Sequence, residues 1–455
     1  MVKNQVEIVI AGGGKVGETI SQELAREDNN IVLIEKKADR LEQIINKLDI
    51  TGLAGDGADY ENLVEAGVEN CDIFIAVTPE DETNIISAII AKELGAKYTI
   101  ARVRDPKYSN HMDFVRESLG ITMVINPEME AAKHISRILE YPESLRTEQF
   151  EKSRVNMVEL VIKKGSPLHD KSLIQFREKY GDVLICVLTR DQKTIIPSGE
   201  TIIKEGDIVH VTGAREDLAR FYRKAGYKEK KIESSLIIGG GGVTYYLLNL
   251  LKHTDIDVKV IEIREDKAIE LSYEFPDVVV IKGDGTDQEL LDEERIHSFD
   301  SVLSLTGIDE ENIINSLYAL SLGVNKVLTK VSRTRLLKIL GNMDLQSTVT
   351  PKHLITSKIL RFVRSLGNTT VSNVEALIRI ADNKVETLQF LVKETSRVVG
   401  IKLKDLNTKD DLLVAYIIRG DNLIYPSGED EILAGDHVLI VTMHKSFDDI
   451  DDILK

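Results

Sequence analysis

The feature that most restricts how this 455-residue chain folds is that it repeats itself once. Gly12-Gly13-Gly14 recurs as Gly239-Gly240-Gly241, and Glu35 recurs as Glu262, both 227 residues on. Gly55-Asp56-Gly57 returns as Gly283-Asp284-Gly285, and Thr78 and Asn84 return as Thr306 and Asn312, 228 residues on. Pro197-Ser198-Gly199-Glu200 and Gly206-Asp207 return as Pro426-Ser427-Gly428-Glu429 and Gly435-Asp436, 229 residues on. Landmarks in one order at nearly one spacing mean two copies of one structural unit. Single cores rarely grow beyond ~250–300 residues, so the length also calls for several domains.

Each half reads in two parts. In the first, short apolar runs (Val6–Ile10, Ile31–Ile34, Ile73–Val77, Tyr98–Val103) alternate with helical patterns such as Asn84–Leu94. That rhythm means right-handed crossovers and a parallel sheet. The stretch from about Asn126 to Ser153 reads as a linker helix running into a polar hinge at Glu140-Tyr141-Pro142-Glu143. The second part has strand signals at Val158–Ile162, Val183–Leu188 and Ile208–Val211, with a Pro-Ser-Gly-Glu turn ahead of the closing strand. The small lobe of the second half starts near Val374. The expected fold is α/β: two tandem repeats, each a Rossmann-like, doubly wound parallel-sheet N lobe followed by a small α+β C lobe. The expected divisions are 1–138 and 139–230 for the first N and C lobes, and 231–365 and 366–455 for the second.

Gly12-x-Gly14-x-x-Gly17 follows a strand and opens a helix, the setting in which this motif binds a pyrophosphate. Gly12 permits the tight turn, Gly14 lets the backbone approach the phosphates, and Gly17 lets helix and strand pack closely. Gly13 and Val16 belong to the same loop, and Lys15 places an ammonium inside it. The helix N-terminus adds unpaired N–H groups and a partial positive charge. Glu35 ends the second strand, where an acid accepts from ribose hydroxyls and repels a 2′-phosphate, favouring NAD or plain adenine nucleotides over NADP. Lys36 and Lys37 beside it temper that preference. Gly55, Asp56, Gly57 and Thr78 fall at the carboxyl edge of the sheet, and Arg102 late in the fifth strand is within reach of a terminal phosphate. Blander roles stand beside these: a turn without ligand, a solvated acid at Glu35, a helix cap at Asp56 or at Thr78 and Asn84, an ion pair at Arg102. In the second copy Gly239, Gly241, Glu262, Asp284, Thr306 and Lys330 hold the matching places. Gly242 replaces the loop lysine there, and Thr244 replaces the third glycine, which should push the helix off the strand.

Composition removes several classes. A net charge of −17 argues against nucleic-acid binding through the phosphate backbone and against direct contact with an anionic membrane. No apolar run approaches the ~18 residues of a membrane span, and the chain enters its first strand at once, so a cytoplasmic location is expected. Cys71 and Cys186 lie in apolar runs and read as core residues of a reducing compartment. Histidines such as His111, His134, His169 and His210 form no convincing pair, so neither a metal site nor catalytic residues are expected.

The glycine loops, Glu35 and Glu262, the Gly-Asp-Gly loops, Asp81-Glu82-Thr83-Asn84, Ala101-Arg102-Val103-Arg104 and both Pro-Ser-Gly-Glu turns resemble the TrkA family, peripheral subunits of bacterial Trk potassium-uptake systems built from two consecutive RCK (regulator of potassium conductance) units. The likeness covers essentially the whole chain. It implies NAD(H), ATP or ADP as regulatory ligands and a homo-oligomeric ring, a tetramer, under a TrkH-like membrane potassium transporter subunit. It also implies a peripheral place at the inner face of the membrane through that partner, and gating rather than catalysis. Two alternatives remain: an NAD-dependent oxidoreductase, for which no separate catalytic domain is left over, and a cyclic-dinucleotide-type small-ligand sensor acting through the C lobes.

Overall fold

The computed structural model describes residues 5–109, 116–140, 146–149, 155–226, 231–333, 345, 347–366, 374–381, 384–420, 422–445 and 447–455. The first N lobe holds six strands: β1 (Glu7–Ala11), β2 (Asn30–Glu35), β3 (Thr51–Ala54), β4 (Ile73–Ala76), β5 (Tyr98–Arg102) and β6 (Met123–Ile125). They lie in the order β3-β2-β1-β4-β5-β6 with parallel pairings throughout. The central strands are apolar on both faces, as covered parallel strands must be; every residue of β4 is buried. β6 is only Met-Val-Ile, too short to show a period, and sequence reading passes over it.

The first C lobe is an antiparallel sheet of β7 (Arg146–Gln149), β8 (Val155–Val161), β9 (Leu184–Arg190), β10 (Lys193–Ile195) and β11 (Ile208–Ala214), ordered β10-β9-β11-β8-β7. The linker helix ends at Glu140, where the polar hinge begins in the sequence, and Arg146–Gln149 beyond it is a strand paired to β8. The hinge residues Tyr141, Pro142 and Glu143 lie outside the described residues.

The second half repeats both sheets. β12 (Ser234–Ile238), β13 (Asp257–Glu262), β14 (Val279–Lys282), β15 (Ser301–Ser304), β16 (Lys326–Lys330) and β17 (Thr348–Val349) take the order β14-β13-β12-β15-β16-β17. β18 (Val374–Ile380), β19 (Val385–Leu391), β20 (Leu412–Arg419), β21 (Asn422–Ile424) and β22 (His437–Thr442) take the order β18-β19-β22-β20-β21. Strand for strand these match the first half, so duplication at the level of residues is duplication at the level of topology.

The chain forms two compact units, and they do not coincide with the repeats. One holds both N lobes (Met1–Lys133, Ser235–Leu345 and Val349–Gly367); the other holds both C lobes (His134–Ser234, Gln346–Thr348 and Asn368–Lys455). Each repeat follows its N-lobe sheet with a long helix, Pro127–Glu140 and Pro351–Leu366. Proline suits the first helical position, where its missing N–H has no intrahelical acceptor. Asn126 caps the first of them by accepting from the Met129 N–H at 2.9 Å. The helix of the second repeat packs on the first repeat's N lobe: Ile355, Ile359, Leu360 and Val363 join one buried cluster with Ile8, Ile20 and Leu24. Lys358 pairs with Glu130 at 2.8 Å, which ties the two long helices together.

Arg364 and Glu27 add a bidentate ion pair at 2.6 Å, with side chains only 7% and 9% exposed. Removing one partner of such a pair strands a buried charge. Arg364→Ala should therefore destabilise the N-lobe unit by ~3 kcal/mol. Thermal melts of full-length protein check this; an unchanged melting temperature would mean that water replaces the arginine without loss.

In the C-lobe unit, Val155, Met157, Cys186 and Val187 of the first sheet pack in one cluster with Ile378, Val385, Tyr416 and Leu439 of the second. The Tyr416 hydroxyl donates to the Thr212 carbonyl. Each Gly-Asp turn has a common purpose: buried Asp207 takes Arg190 at 2.7 and 2.6 Å, and buried Asp436 takes Arg419 at 2.9 and 2.8 Å. Both cysteines are free and buried, and burial pushes each thiol up to about 12.

Candidate functional site

At the carboxyl edge of the first sheet, β1 ends in a turn that only glycine fills well. Gly12 has φ +107°, and a Cβ there would stand 2.9 Å from the Thr78 nitrogen. Gly14 caps the helix Lys15–Ala25 with an ordinary extended backbone. The helix's first intrahelical bond runs from Glu18 N–H to the Gly14 carbonyl, leaving the preceding amides open to an anion. Glu35 holds this loop in place: Oε2 accepts from the Gly13 N–H at 2.7 Å and Oε1 from the Lys37 N–H at 3.0 Å.

The other wall is built around Asn84, which is fully buried. Its Oδ1 accepts from the Thr78 N–H and hydroxyl at 2.7 and 2.8 Å, and its amide donates to the carbonyls of Thr78 and Arg102. Arg102 is buried as well and donates to the Thr78 carbonyl. Burial, reinforced by the neighbouring Arg104 charge, lowers its guanidinium to about 10. No carboxylate pairs with Arg102 among the described residues, so the ion-pair reading of this arginine is corrected: it braces the loop. Asp56 is corrected too. The cap of the helix Tyr60–Glu65 is Asp59, whereas Asp56 accepts from the Ala58 N–H and pairs with Lys36 at 2.9 Å. Gly55 and Gly57 flank it, with Cβ positions blocked by Asn62 and Ala11.

The second N lobe reproduces this frame. Gly239 has φ +102°, Gly241 caps the helix Gly242–Leu251, and Glu262 accepts from the N–H groups of Gly240 and Arg264 at 2.5 and 2.9 Å. Asn312 binds Thr306 and the Lys330 carbonyl as Asn84 does its counterparts. Lys330 donates to the Leu305 carbonyl at 3.0 Å, and burial lowers its ammonium below the ordinary lysine range. Gly239, Gly241, Glu262, Asp284, Thr306 and Lys330 all line one cleft of about 500 Å³. Arg264 and Glu311 also line it and escaped the sequence reading; Arg264 stands two residues past the strand-end acid, where its charge was the available signal.

Thr244 behaves as its shape requires. In the first loop a Cβ on Gly17 would lie 1.8 Å from the Gly12 carbonyl oxygen, an impossible contact. Thr244 occupies the equivalent place and donates its hydroxyl to the Gly239 carbonyl. The turn keeps its conformation, with φ +102° at Gly239 against +107° at Gly12.

Both frames offer backbone donors, a helix dipole and a strand-end carboxylate, the set that holds a nucleotide's phosphates and ribose. His134, His169 and His210 do not line the second cleft, and His111 lies outside the described residues. Among the described residues no group of three or more His, Cys, Asp or Glu is placed to hold a metal ion, and no helix is long and apolar enough to cross a membrane.

Fold and frame together define a class: tandem Rossmann-type N lobes, each joined to a small antiparallel lobe. The chain matches the TrkA-N domain over residues 8–127 and 235–351 and the TrkA-C domain over 157–226 and 388–455. It belongs to the TrkA family. It is 31% identical to the Trk system potassium uptake protein TrkA of Halomonas elongata, over 97% of this chain and 96% of that one. It is 29% identical to a TrkA homolog of Archaeoglobus fulgidus, over 99% and 100%. Among solved structures, the GsuK RCK domain superposes with a TM-score of 0.63 at 16% identity, covering 97% of this chain and 93% of that one. The GsuK channel bound to NAD gives 0.64 at 16% identity, covering 97% and 77%.

Proposed function

We propose that the chain is the nucleotide-sensing regulatory subunit of a Trk-type potassium uptake system. NAD(H), ATP or ADP binds at Gly12–Gly17 with Glu35, Asp56, Thr78 and Arg102, and at Gly239–Gly241 with Glu262, Asp284 and Thr306, and is not turned over. The observation that carries this reading is the duplicated loop, in which a strand-end glutamate holds the glycine turn ready for a pyrophosphate. The lobes act as 1–138, 139–230, 231–365 and 366–455, in a cytoplasmic homotetrameric ring docked on a TrkH-like membrane subunit. Family membership supports the potassium-uptake setting, and RCK-type topology supports regulation over catalysis. A nucleotide moves such a ring only through its differential affinity for two conformations, ~1.4 kcal/mol for each tenfold ratio.

Titration calorimetry of the full chain with NADH, ATP and ADP tests the binding half. Potassium uptake in cells lacking the chain tests the regulatory half. Saturable binding with no consumption of ligand, and altered uptake on deletion, are expected. Multiple-turnover oxidation of NADH with a simple carbonyl substrate would falsify the non-enzymatic reading.

A further inference from the structure

The long helices that follow each N lobe do more than pack. The second repeat's helix begins Pro351-Lys352, and Lys352 lines a cleft of about 350 Å³ with Lys15, Glu18, Glu23, Lys47 and His353, along the helix that the first glycine loop opens; Lys15 is the residue the cleft shares with that loop. Lys15 and Lys352 are thus two ammonium groups held in one half-enclosed space. Burial and the Lys15 charge lower the Lys352 ammonium, with Glu18 and Asp309 acting the other way. Glu18 is already engaged by Arg40 and, at 3.3 Å, by Lys47. An arrangement of this kind is relieved by an anion.

The first repeat's helix begins Pro127-Glu128, and Glu128 occupies the corresponding place at the second loop. Its Cγ lies 3.2 Å from where a Cβ on Gly242 would stand, and Gly242 is the residue matching Lys15. One Glu128 carboxylate oxygen is buried without a hydrogen-bond partner, and its charge reaches both Arg102 and Lys330. Tyr246, on the second loop's helix, donates to the Arg104 carbonyl at 2.6 Å, so the second loop is seated against the first repeat. The same position on the same helix is therefore a lysine facing a lysine at one loop and a glutamate facing a glycine at the other.

We propose that Lys352 and Glu128, each reaching the other repeat's glycine loop, sort the two clefts by ligand charge. The first cleft selects nucleoside polyphosphates, whose terminal phosphates extend toward Lys15 and Lys352. The second disfavours them and selects a dinucleotide, whose bridging pyrophosphate carries less charge and is capped by a second nucleoside. This rests on the nucleotide reading above and adds a direction to it. Because each sorting residue belongs to the opposite repeat, a ligand in one cleft bears on the partner lobe directly, and the coupling is reciprocal.

The test is calorimetry on the full-length chain with ATP and NADH as probes and no added divalent cation. Gly241→Asp confines binding to the first cleft and Gly14→Asp to the second. In the first background, Lys352→Gln should weaken ATP about tenfold with NADH changed less than about twofold, and Lys352→Arg should restore ATP. In the second, Glu128→Gln should strengthen ATP about tenfold with NADH again nearly constant. Charge variants that move both ligands equally, or neither, overturn the sorting and leave the nucleotide reading standing. Failure of that reading has its own signature: neither glycine variant would alter binding at all.

Discussion

Gly14→Asp should severely weaken nucleotide binding at the first glycine loop while leaving the N lobe folded. The backbone there is φ −66°, ordinary for any residue, and no atom lies within 4 Å of the added Cβ. The new carboxylate would stand where a pyrophosphate meets the helix N-terminus, replacing attraction by repulsion and drawing on the same open N–H groups. A loss of about a hundredfold in affinity, ~2.7 kcal/mol, is expected from this one charge. Circular dichroism and melting curves should match the parent chain. The contrast is Gly17→Ala, three residues on, where the Cβ meets the Gly12 carbonyl oxygen at 1.8 Å and the lobe itself must give way. Binding retained by Gly14→Asp at parental affinity would remove the phosphates from this loop.

The second large effect concerns the halves of the chain. A protein cut after residue 231 keeps every strand of the first repeat yet should not behave as a stable monomer. Ile355, Ile359, Leu360 and Val363 are each at most 3% exposed and complete the cluster built by Ile8, Ile20 and Leu24. Burying such a side chain is worth ~1.5–3 kcal/mol, so losing four forfeits ~6–12 kcal/mol. That is comparable with the whole stability of a typical domain, ~5–15 kcal/mol. The half-chain should aggregate, or pair with a second copy that covers the exposed face. Light scattering together with a denaturant melt decides the matter. A monodisperse, cooperatively unfolding monomer would show that the first N lobe does not depend on the second repeat's helix.

Much of this architecture was legible because glycine and buried charge leave marks in sequence. Gly12 and Gly239 are needed for a positive φ, and Glu35 and Glu262 for the loop amides, so their constant offset exposed both clefts. The Gly206-Asp207 and Gly435-Asp436 pairs betrayed the closing strands for a similar reason, since a buried aspartate clamps an arginine in each lobe. What stayed hidden depends on partners rather than patterns. An apolar stripe such as Ile355, Ile359 and Val363 says that a helix is covered, not by which lobe. Met123–Ile125 and Arg146–Gln149 are too short to carry a strand period. Lys352 and Glu128 follow prolines at matching points of the two repeats, yet their meaning appears only when each helix is seen against the other repeat's loop.

The helix that completes the first N lobe has a consequence for how the chain comes into being. The last strand of that lobe ends at Ile125, and the helix covering it ends at Leu366. At a synthesis rate of ~5–20 residues per second, roughly 10–50 s separate the two on the ribosome. Through that interval the lobe's Ile20 and Leu24 face has no permanent cover. Nascent chains on neighbouring ribosomes of one message would carry the same open face side by side. Such a chain gains from a chaperone that binds apolar surface early and releases it late, and codon changes that slow translation between residues 231 and 351 should lower its soluble yield.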